Sequence, residues 1–228
     1  MTGGSGAPAE VSPPIRPMLA YSGPMPADPG WAFEFAWDGI RSLADVQPDR
    51  LRLFGAHERG ITGSYPELDV LPALTERRRV LLDGKIVALD ACGRPSFSRL
   101  RLRMNVHRPS ARVRQQVPVS YYVFDLLRLD DRSTLQLPYR QRRELLEELN
   151  LARGPVVLPP YFLGIEGQAV LDTAAAYGLH GVLAKRADST YQPGRRSRSW
   201  VETAVRRNQE VIIGGWVPSK RGPAGTLG

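Results

Sequence analysis

Several residue types that build common functional sites are scarce in this sequence. A single cysteine, Cys92, excludes a disulfide within the chain, and three scattered histidines, at positions 57, 107 and 180, predict no zinc site. No apolar run approaches the roughly 18 residues of a membrane span, and residues 1–14 lack the basic start and apolar middle of a signal peptide. We therefore expect a protein of the reducing cytoplasm, without a membrane partner.

Lysine is nearly absent as well, with only Lys85, Lys185 and Lys220 in the chain. The glycine-rich phosphate loops G-x-x-x-x-G-K-S/T and G-x-G-x-x-G are missing, which argues against the common nucleotide-binding folds. The net charge of +8 is therefore carried almost entirely by arginine. Such a basic balance favours polyanionic partners such as nucleic acid or nucleotide phosphates, and a merely solvated basic surface is the alternative.

Arginine is concentrated in two zones. The first lies between Ala91 and Phe124, where no acidic residue occurs, and the second runs from Lys185 to Arg221. Guanidinium groups pair with phosphate oxygens without reading base sequence. We therefore predict that six arginines contact a DNA backbone: Arg99, Arg101, Arg103, Arg195, Arg196 and Arg198. A soluble arginine-rich surface explains the same clustering about equally well.

The pattern of apolar residues indicates an α+β domain built on antiparallel sheets flanked by helices. Strands are predicted in the stretches 31–46, 51–54, 79–90, 120–129, 182–186, 199–205 and 210–217. Asp38-Gly39 predicts a hairpin turn in which glycine takes a positive φ. Helices are predicted after Pro138 and over 167–178, the second closed by Gly178. Residues 1–14 are expected to be a flexible leader and 15–210 to form the domain.

Six short segments then occur in a fixed order across about two hundred residues. They resemble the motifs of the adenylation domain of ATP-dependent DNA ligases, a nucleotidyltransferase fold of ATP-grasp-like type shared with RNA ligases and messenger RNA capping enzymes. The segments are AWDGIR (36–41), ITGSYPEL (61–68), LLDGKIVALD (81–90), SYYVFDLL (120–127), HGVLAKR (180–186) and YQPGRRSRSWV (191–201).

The resemblance implies a reaction and shows where this chain departs from it. In that family a lysine attacks the α-phosphorus of Mg²⁺-bound ATP, holds AMP, and passes it to a DNA 5′-phosphate. Ala36 stands at the lysine position, so no intact nucleophile is expected there. ATP and Mg²⁺ binding are expected to be weak or absent, because further functional positions carry other chemistry: Ala56, Lys85, His180, Glu202 and Ala204.

Other positions match the family and are predicted to contact the nucleotide. They are Glu34, Asp38, Gly39, Arg41, Phe124 and Lys185. Each also has a plain structural explanation: the turn requires Asp38-Gly39, Phe124 packs in the core, and Arg41 pairs with a surface carboxylate. Lys85 is the one speculative substitute nucleophile, because it stands on a strand that lines the pocket in the family.

Three functional hypotheses remain open from the sequence. The first is a ligase-like domain without adenylation chemistry that binds DNA, nicked or broken, or a protein partner. The second is a working ATP-dependent ligase, through Lys85 or with a partner chain that supplies an oligonucleotide-binding (OB) barrel, since residues 211–228 resemble only the start of one. The third is a truncated, decaying gene product without a selected role.

Overall fold

The structure is a computed structural model that describes residues 15–55 and 59–205. The predicted leader, Ala56, the strand expected at 210–217 and the segment 211–228 lie outside these residues. Within the described part of the chain, no helix is long and apolar enough to cross a membrane.

The described strands form two sheets. The strands are β1 (Leu19–Ser22), β2 (Trp31–Phe35), β3 (Ile40–Gln47), β4 (Arg50–Phe54), β5 (Val80–Ala88), β6 (Val119–Leu129), β7 (Arg132–Ser133), β8 (Val156–Val157), β9 (Tyr161–Leu163), β10 (Gly181–Arg186) and β11 (Arg196–Ala204). The first sheet has the order β1-β11-β10-β2-β9, and the second has the order β4-β3-β5-β6-β7 with β8 beside β6. All pairs are antiparallel except β1·β11 and β6·β8, so the predicted α+β architecture is confirmed.

Five helices accompany the sheets in the described residues: α1 (Leu71–Leu74), α2 (Phe97–Arg101), α3 (Ala111–Gln116), α4 (Tyr139–Glu148) and α5 (Gly167–Ala176). The two longer helices confirm the predictions made from their boundary residues. Pro138 immediately precedes α4, where its fixed φ suits a helix start. Gly178 follows α5 with φ of 70°, a conformation that glycine adopts without a steric penalty.

The hairpin predicted at Asp38-Gly39 is wrong. Strand β2 ends in the first sheet and β3 begins in the second, so residues 36–39 cross between the sheets. A positive φ, the predicted reason for glycine at this position, does not apply, because Gly39 lies outside the positive-φ region. A Cβ atom at Gly39 would lie 2.4 Å from the backbone oxygen of Ile86. Close packing of the crossover against β5, and not turn geometry, therefore requires glycine.

The two sheets pack face to face and are covered on their outer faces. Phe124 and Trp200 belong to a buried cluster between the sheets. Ile86 and Leu100 belong to a larger cluster on the far face of the second sheet, where α2 packs. Val170 of α5 packs on the far face of the first sheet. The space between the sheets is therefore bounded by side chains from many strands.

Replacing Gly39 by alanine tests the close approach of the crossover to β5. We expect Gly39→Ala to lower the free energy of unfolding by about 1–3 kcal/mol, because the added methyl group overlaps a backbone atom. Urea denaturation measures this change. Gly60→Ala is the matched control, since a Cβ there meets nothing within 4 Å. Equal stability of the two variants would contradict the packing explanation.

Candidate functional site between the sheets

A cavity of about 210 Å³ opens between the two sheets. Seven strands or their ends contribute to its wall, so chain segments far apart in sequence meet there. The predicted site residues on this wall are Glu34, Ala36, Arg41, Lys85, Phe124, Arg196 and Glu202. A larger depression of about 500 Å³, between residues 25–33 and 164–168, contains none of the predicted site residues.

Lys185 lies behind this wall in a fully buried ion pair with Glu34. Its Nζ donates to Glu34 Oε1 at 2.8 Å, and the Tyr139 hydroxyl donates to the same oxygen. The ammonium also lies 4.6 Å from the ring centroid of Phe124 and 4.4 Å from that of Trp200. Burial holds the pKa of Lys185 below its ordinary value, although Glu34 opposes this shift. In this arrangement the two predicted nucleotide contacts neutralise each other.

Arg41 forms a second charged pair, with Asp83 of the D-G-K strand. Its Nε and Nη2 each donate to a different Asp83 oxygen at 2.6 Å, and the Tyr191 hydroxyl donates to Asp83 as well. The Arg41 guanidinium lies 4.8 Å from the ring centroid of Phe124. The sequence predicted a surface carboxylate as partner, but Asp83 is completely buried. Arg41 therefore has a structural partner at the base of the cavity.

Phe124 is 5% exposed and belongs to the core between the sheets while one edge reaches the cavity. Two cations, Arg41 and Lys185, already contact its ring. An adenine base that stacks on this ring would share it with these two cations. The core-packing explanation of Phe124 is thus confirmed, whereas its predicted contact with adenine stays a prediction.

The nucleophile position and the substitute lysine lie on the same wall. Ala36 is 5% exposed, and its backbone N–H donates to the Gly181 carbonyl at 2.9 Å. Lys85 Nζ donates to the Trp37 carbonyl at 2.7 Å. Burial first, and then the neighbouring Arg41, hold the pKa of Lys85 below its ordinary value, against the opposing effect of Glu202 and two aspartates.

Three further predicted positions, Asp38, His180 and Ala204, are not among the residues that line the cavity. His180 Nε2 is 3.4 Å from Asp38 Oδ2, and the histidine side chain is 63% exposed. This contact is an ion pair only when His180 is protonated. Glu202 is exposed on β11, and Ala204 follows it two residues later on the same strand. No group of three or more His, Cys, Asp or Glu side chains suited to a metal ion occurs within the described ranges.

The arginine predictions divide according to burial, and Arg103 requires a correction. Its guanidinium is completely buried, lies 3.0 Å from Glu67, and donates to the Val117 and Ser64 carbonyls. It therefore stabilises the fold and cannot reach DNA from this position. Arg99 donates to the Gln116 carbonyl but stays partly exposed. Arg101, Arg195, Arg196 and Arg198 are exposed, as predicted contacts must be.

The two arginine zones do not share one face. Leu100 of the first zone packs with Ile86 on the far face of the second sheet, whereas Arg196 lines the cavity together with Lys85. Lys85 and Ile86 are consecutive on β5 and point to opposite faces, as successive strand residues do. A duplex lying across the cavity mouth therefore meets the second zone.

Sequence analysis missed several residues that shape the site. Trp200 contacts both Lys185 and Tyr191, and Asp125 forms a fully buried pair with Arg142 at 2.7 Å. A charged residue inside an otherwise apolar strand does indicate a buried ion pair, because a buried carboxylate requires a partner. Their partners lie far away in the sequence, so the pairs themselves were not predictable.

Comparison with known proteins agrees with this geometry. Two packed sheets with the interlayer site define the class as a nucleotidyltransferase fold of the DNA ligase type. The sequence model of the family described as "ATP dependent DNA ligase domain" matches residues 17–203, so the chain belongs to that family.

Among its curated relatives is the multifunctional non-homologous end joining protein LigD of Mycolicibacterium smegmatis, 38% identical over 216 residues. That match covers 94% of this chain and 27% of the relative, so the chain spans about a quarter of its length. DNA ligase C1 of the same organism is 34% identical, with 93% of this chain and 62% of the relative covered.

Solved structures give the same family. A mycobacterial DNA ligase D complexed with ATP and MES is 39% identical, has a TM-score of 0.74, and matches over 89% of this chain and 64% of that one. The Chlorella virus DNA ligase-adenylate is 18% identical, has a TM-score of 0.59, and matches over 84% of this chain and 68% of that one. At this identity the likeness supports the fold alone. The predicted family and fold are thereby confirmed.

The Arg41–Asp83 pair yields a stability prediction. Asp83→Asn should lower the free energy of unfolding by about 3 kcal/mol, because it leaves the Arg41 guanidinium without its charge partner. Thermal or urea unfolding measures the loss. Asp130→Asn is the isosteric control, since its pair with Arg78 is exposed and should contribute little. A similar small effect of both substitutions would show that the buried pair is dispensable.

Proposed function

We propose that this chain is a ligase-family adenylation domain that forms no lysyl-adenylate and acts as a DNA-binding module in the repair of broken ends. The observation that carries the proposal is the methyl group of Ala36 on the cavity wall, at the position that the family motif assigns to the nucleophilic lysine. A methyl group has no lone pair with which to attack phosphorus. The name of the LigD relatives supplies the end-joining context.

The fully buried lysine offers no replacement. Lys185 is bound to Glu34 and surrounded by aromatic rings, so its amine would have to leave a buried ion pair before it could react. Breaking such a pair while one partner stays buried costs about 3–5 kcal/mol. Lys185 therefore acts as an internal cation in this proposal.

Mg²⁺-ATP fits the cavity poorly. The cavity volume of about 210 Å³ lies below the range of about 300–1,000 Å³ that is usual for ligand pockets. Lys85 and His180 stand where the resemblance places carboxylates, and neither side chain supplies the oxygen ligands that Mg²⁺ prefers. We therefore infer weak or absent ATP binding and derive no reaction step through this nucleotide.

The DNA-binding part of the proposal rests on exposed arginines beside the cavity. Arg196 lines the cavity, Arg198 is exposed two residues later on β11, and Arg195 is exposed immediately before that strand. Among the described residues, none of these three side chains forms an ion pair with a carboxylate. Three uncompensated cations at the start of one strand suit the phosphate backbone of a duplex.

A second candidate function is self-adenylation through Lys85. The favouring observation is its position on the cavity wall, combined with the depressed pKa that burial and Arg41 produce. Against it, the amine is held by the Trp37 carbonyl and approaches from β5 instead of β2. A displacement of about one ångström can lower the rate about a hundredfold.

Intact-mass measurement distinguishes these two functions. After incubation with Mg²⁺ and ATP, the wild-type chain should carry no added AMP, because Ala36 supplies no nucleophile. Lys85→Ala should likewise give a single unmodified species, at the mass of the variant. An AMP adduct that peptide mapping assigns to Lys85 and that disappears in Lys85→Ala would establish the second candidate instead.

Salt-dependent binding tests the DNA module. Fluorescence anisotropy with a nicked duplex should show affinity falling steeply with salt, because each neutralised phosphate contributes about −0.9 to the log–log slope. Replacing Arg195, Arg196 and Arg198 by glutamine should reduce that slope by about 2–3.

The control replaces three exposed arginines that already pair with carboxylates: Arg77, Arg78 and Arg79. Their substitution should leave the slope nearly unchanged. Circular dichroism checks the fold of both triple variants, since Arg196 also donates to the Ala20 carbonyl. Equal losses in the two variants, or binding without salt dependence, would overturn the assigned surface.

A further inference from the structure

We propose that Lys85 is a carbonyl-reactive amine and that the cavity between the sheets takes a single-ring aromatic aldehyde, with which Lys85 forms an imine. This inference goes beyond the DNA-binding module and does not depend on it. It concerns a covalent bond between nitrogen and carbon inside the cavity, whereas the DNA-binding proposal concerns ion pairs of arginines at its edge.

Burial and the neighbouring Arg41 favour the neutral form of Lys85, whereas Glu202, Asp38 and Asp83 oppose it. Arg41 and Lys85 are directly opposed in the β3·β5 register, so their Cβ atoms lie on one face about 4.5–5.5 Å apart. Within the described residues, Lys185 has a carboxylate partner within ion-pair distance, whereas Lys85 has none. A partly desolvated ammonium beside a guanidinium is disfavoured, and this combination activates lysine nucleophiles.

The amine is also held in a defined position. Lys85 Nζ donates to the Trp37 carbonyl at 2.7 Å, and this contact joins β5 to the crossover between the sheets. A neutral amine has two N–H donors and one lone pair. The hydrogen bond uses one donor, so the lone pair remains available towards the cavity.

The wall selects the class of electrophile. Four aromatic side chains, Phe35, Trp37, Phe124 and Trp200, line the cavity. A closed apolar cavity of about 150 Å³ is known to hold benzene, so the volume of about 210 Å³ suits one ring with a small substituent. Arg196 on the same wall, which pairs with no carboxylate among the described residues, favours a negatively charged substituent.

The reaction is a simple condensation. The Lys85 lone pair attacks the carbonyl carbon to form a carbon–nitrogen bond, and the carbonyl oxygen leaves as water after proton transfer from nitrogen. The product is an imine, so no oxidant or reductant takes part. Added cyanoborohydride reduces the imine to a stable secondary amine that mass spectrometry can detect.

The experiment uses the full chain with 4-carboxybenzaldehyde and cyanoborohydride at neutral pH. Intact mass gives the number of adducts, and peptide mapping separates Lys85 from Lys185, Lys220 and the N-terminal amine. We expect Lys85 to be labelled at least tenfold faster in the folded chain than in the same chain unfolded in urea. Benzaldehyde, which lacks the carboxylate, should react more slowly at this site.

Three variants and one control separate a built site from an incidental reactive lysine. Lys85→Arg keeps the cation and should abolish the adduct. Leu183→Phe narrows the cavity from the first sheet, opposite the sheet that carries Lys85, and should slow labelling at least tenfold. Glu202→Gln removes the nearest opposing carboxylate on β11 and should accelerate labelling, whereas Glu148→Gln on the exposed face of α4 should not change it.

Labelling of Lys85 at the same rate in folded and unfolded chain would overturn the proposal. Unchanged labelling of Leu183→Phe, with circular dichroism showing an intact fold, would also overturn it. Neither result bears on DNA affinity, so failure of this inference and failure of the proposed function are distinguishable.

Discussion

The buried ion pair between Lys185 and Glu34 is the contact on which the arrangement of the two sheets depends. Its members stand on neighbouring strands of the first sheet, and the surrounding rings come from β6, α4 and β11. A pair of this kind adds little net stability compared with apolar residues, but loss of one partner leaves an unpaired buried charge. The pair therefore fixes the relative position of the elements more than it strengthens the fold, and the cavity forms beside it.

That constraint underlies both proposals made for the cavity. With Lys185 and Glu34 committed to each other, and Arg41 committed to Asp83, the cations that could face a triphosphate are largely neutralised inside the protein. Lys85 is the exception, because its hydrogen-bond acceptor is an uncharged carbonyl. An aromatic wall around a partly desolvated amine favours a small planar electrophile over a large, highly charged one.

Sequence patterns failed where a residue's role depends on a distant partner. Asp38-Gly39 has the composition of a hairpin turn, yet glycine is required there because the backbone of Ile86, on another strand, lies too close for a Cβ atom. Arg103 belongs to a stretch without acidic residues, yet Glu67, 36 positions earlier in the sequence, neutralises it. In both cases the residue's role depends on a contact in the folded chain, and local sequence composition does not reveal that contact.

The sequence by itself determined the family, the α+β class, the start of α4, the extent of α5, and the absence of an amine at position 36, because each of these follows from residue identity and short-range order. Tertiary structure alone decided which charges are compensated, which arginines remain exposed, and that Lys85 shares a cavity with Ala36. The physical reason is that burial and charge pairing are set by elements from both sheets, which only the folded chain brings together.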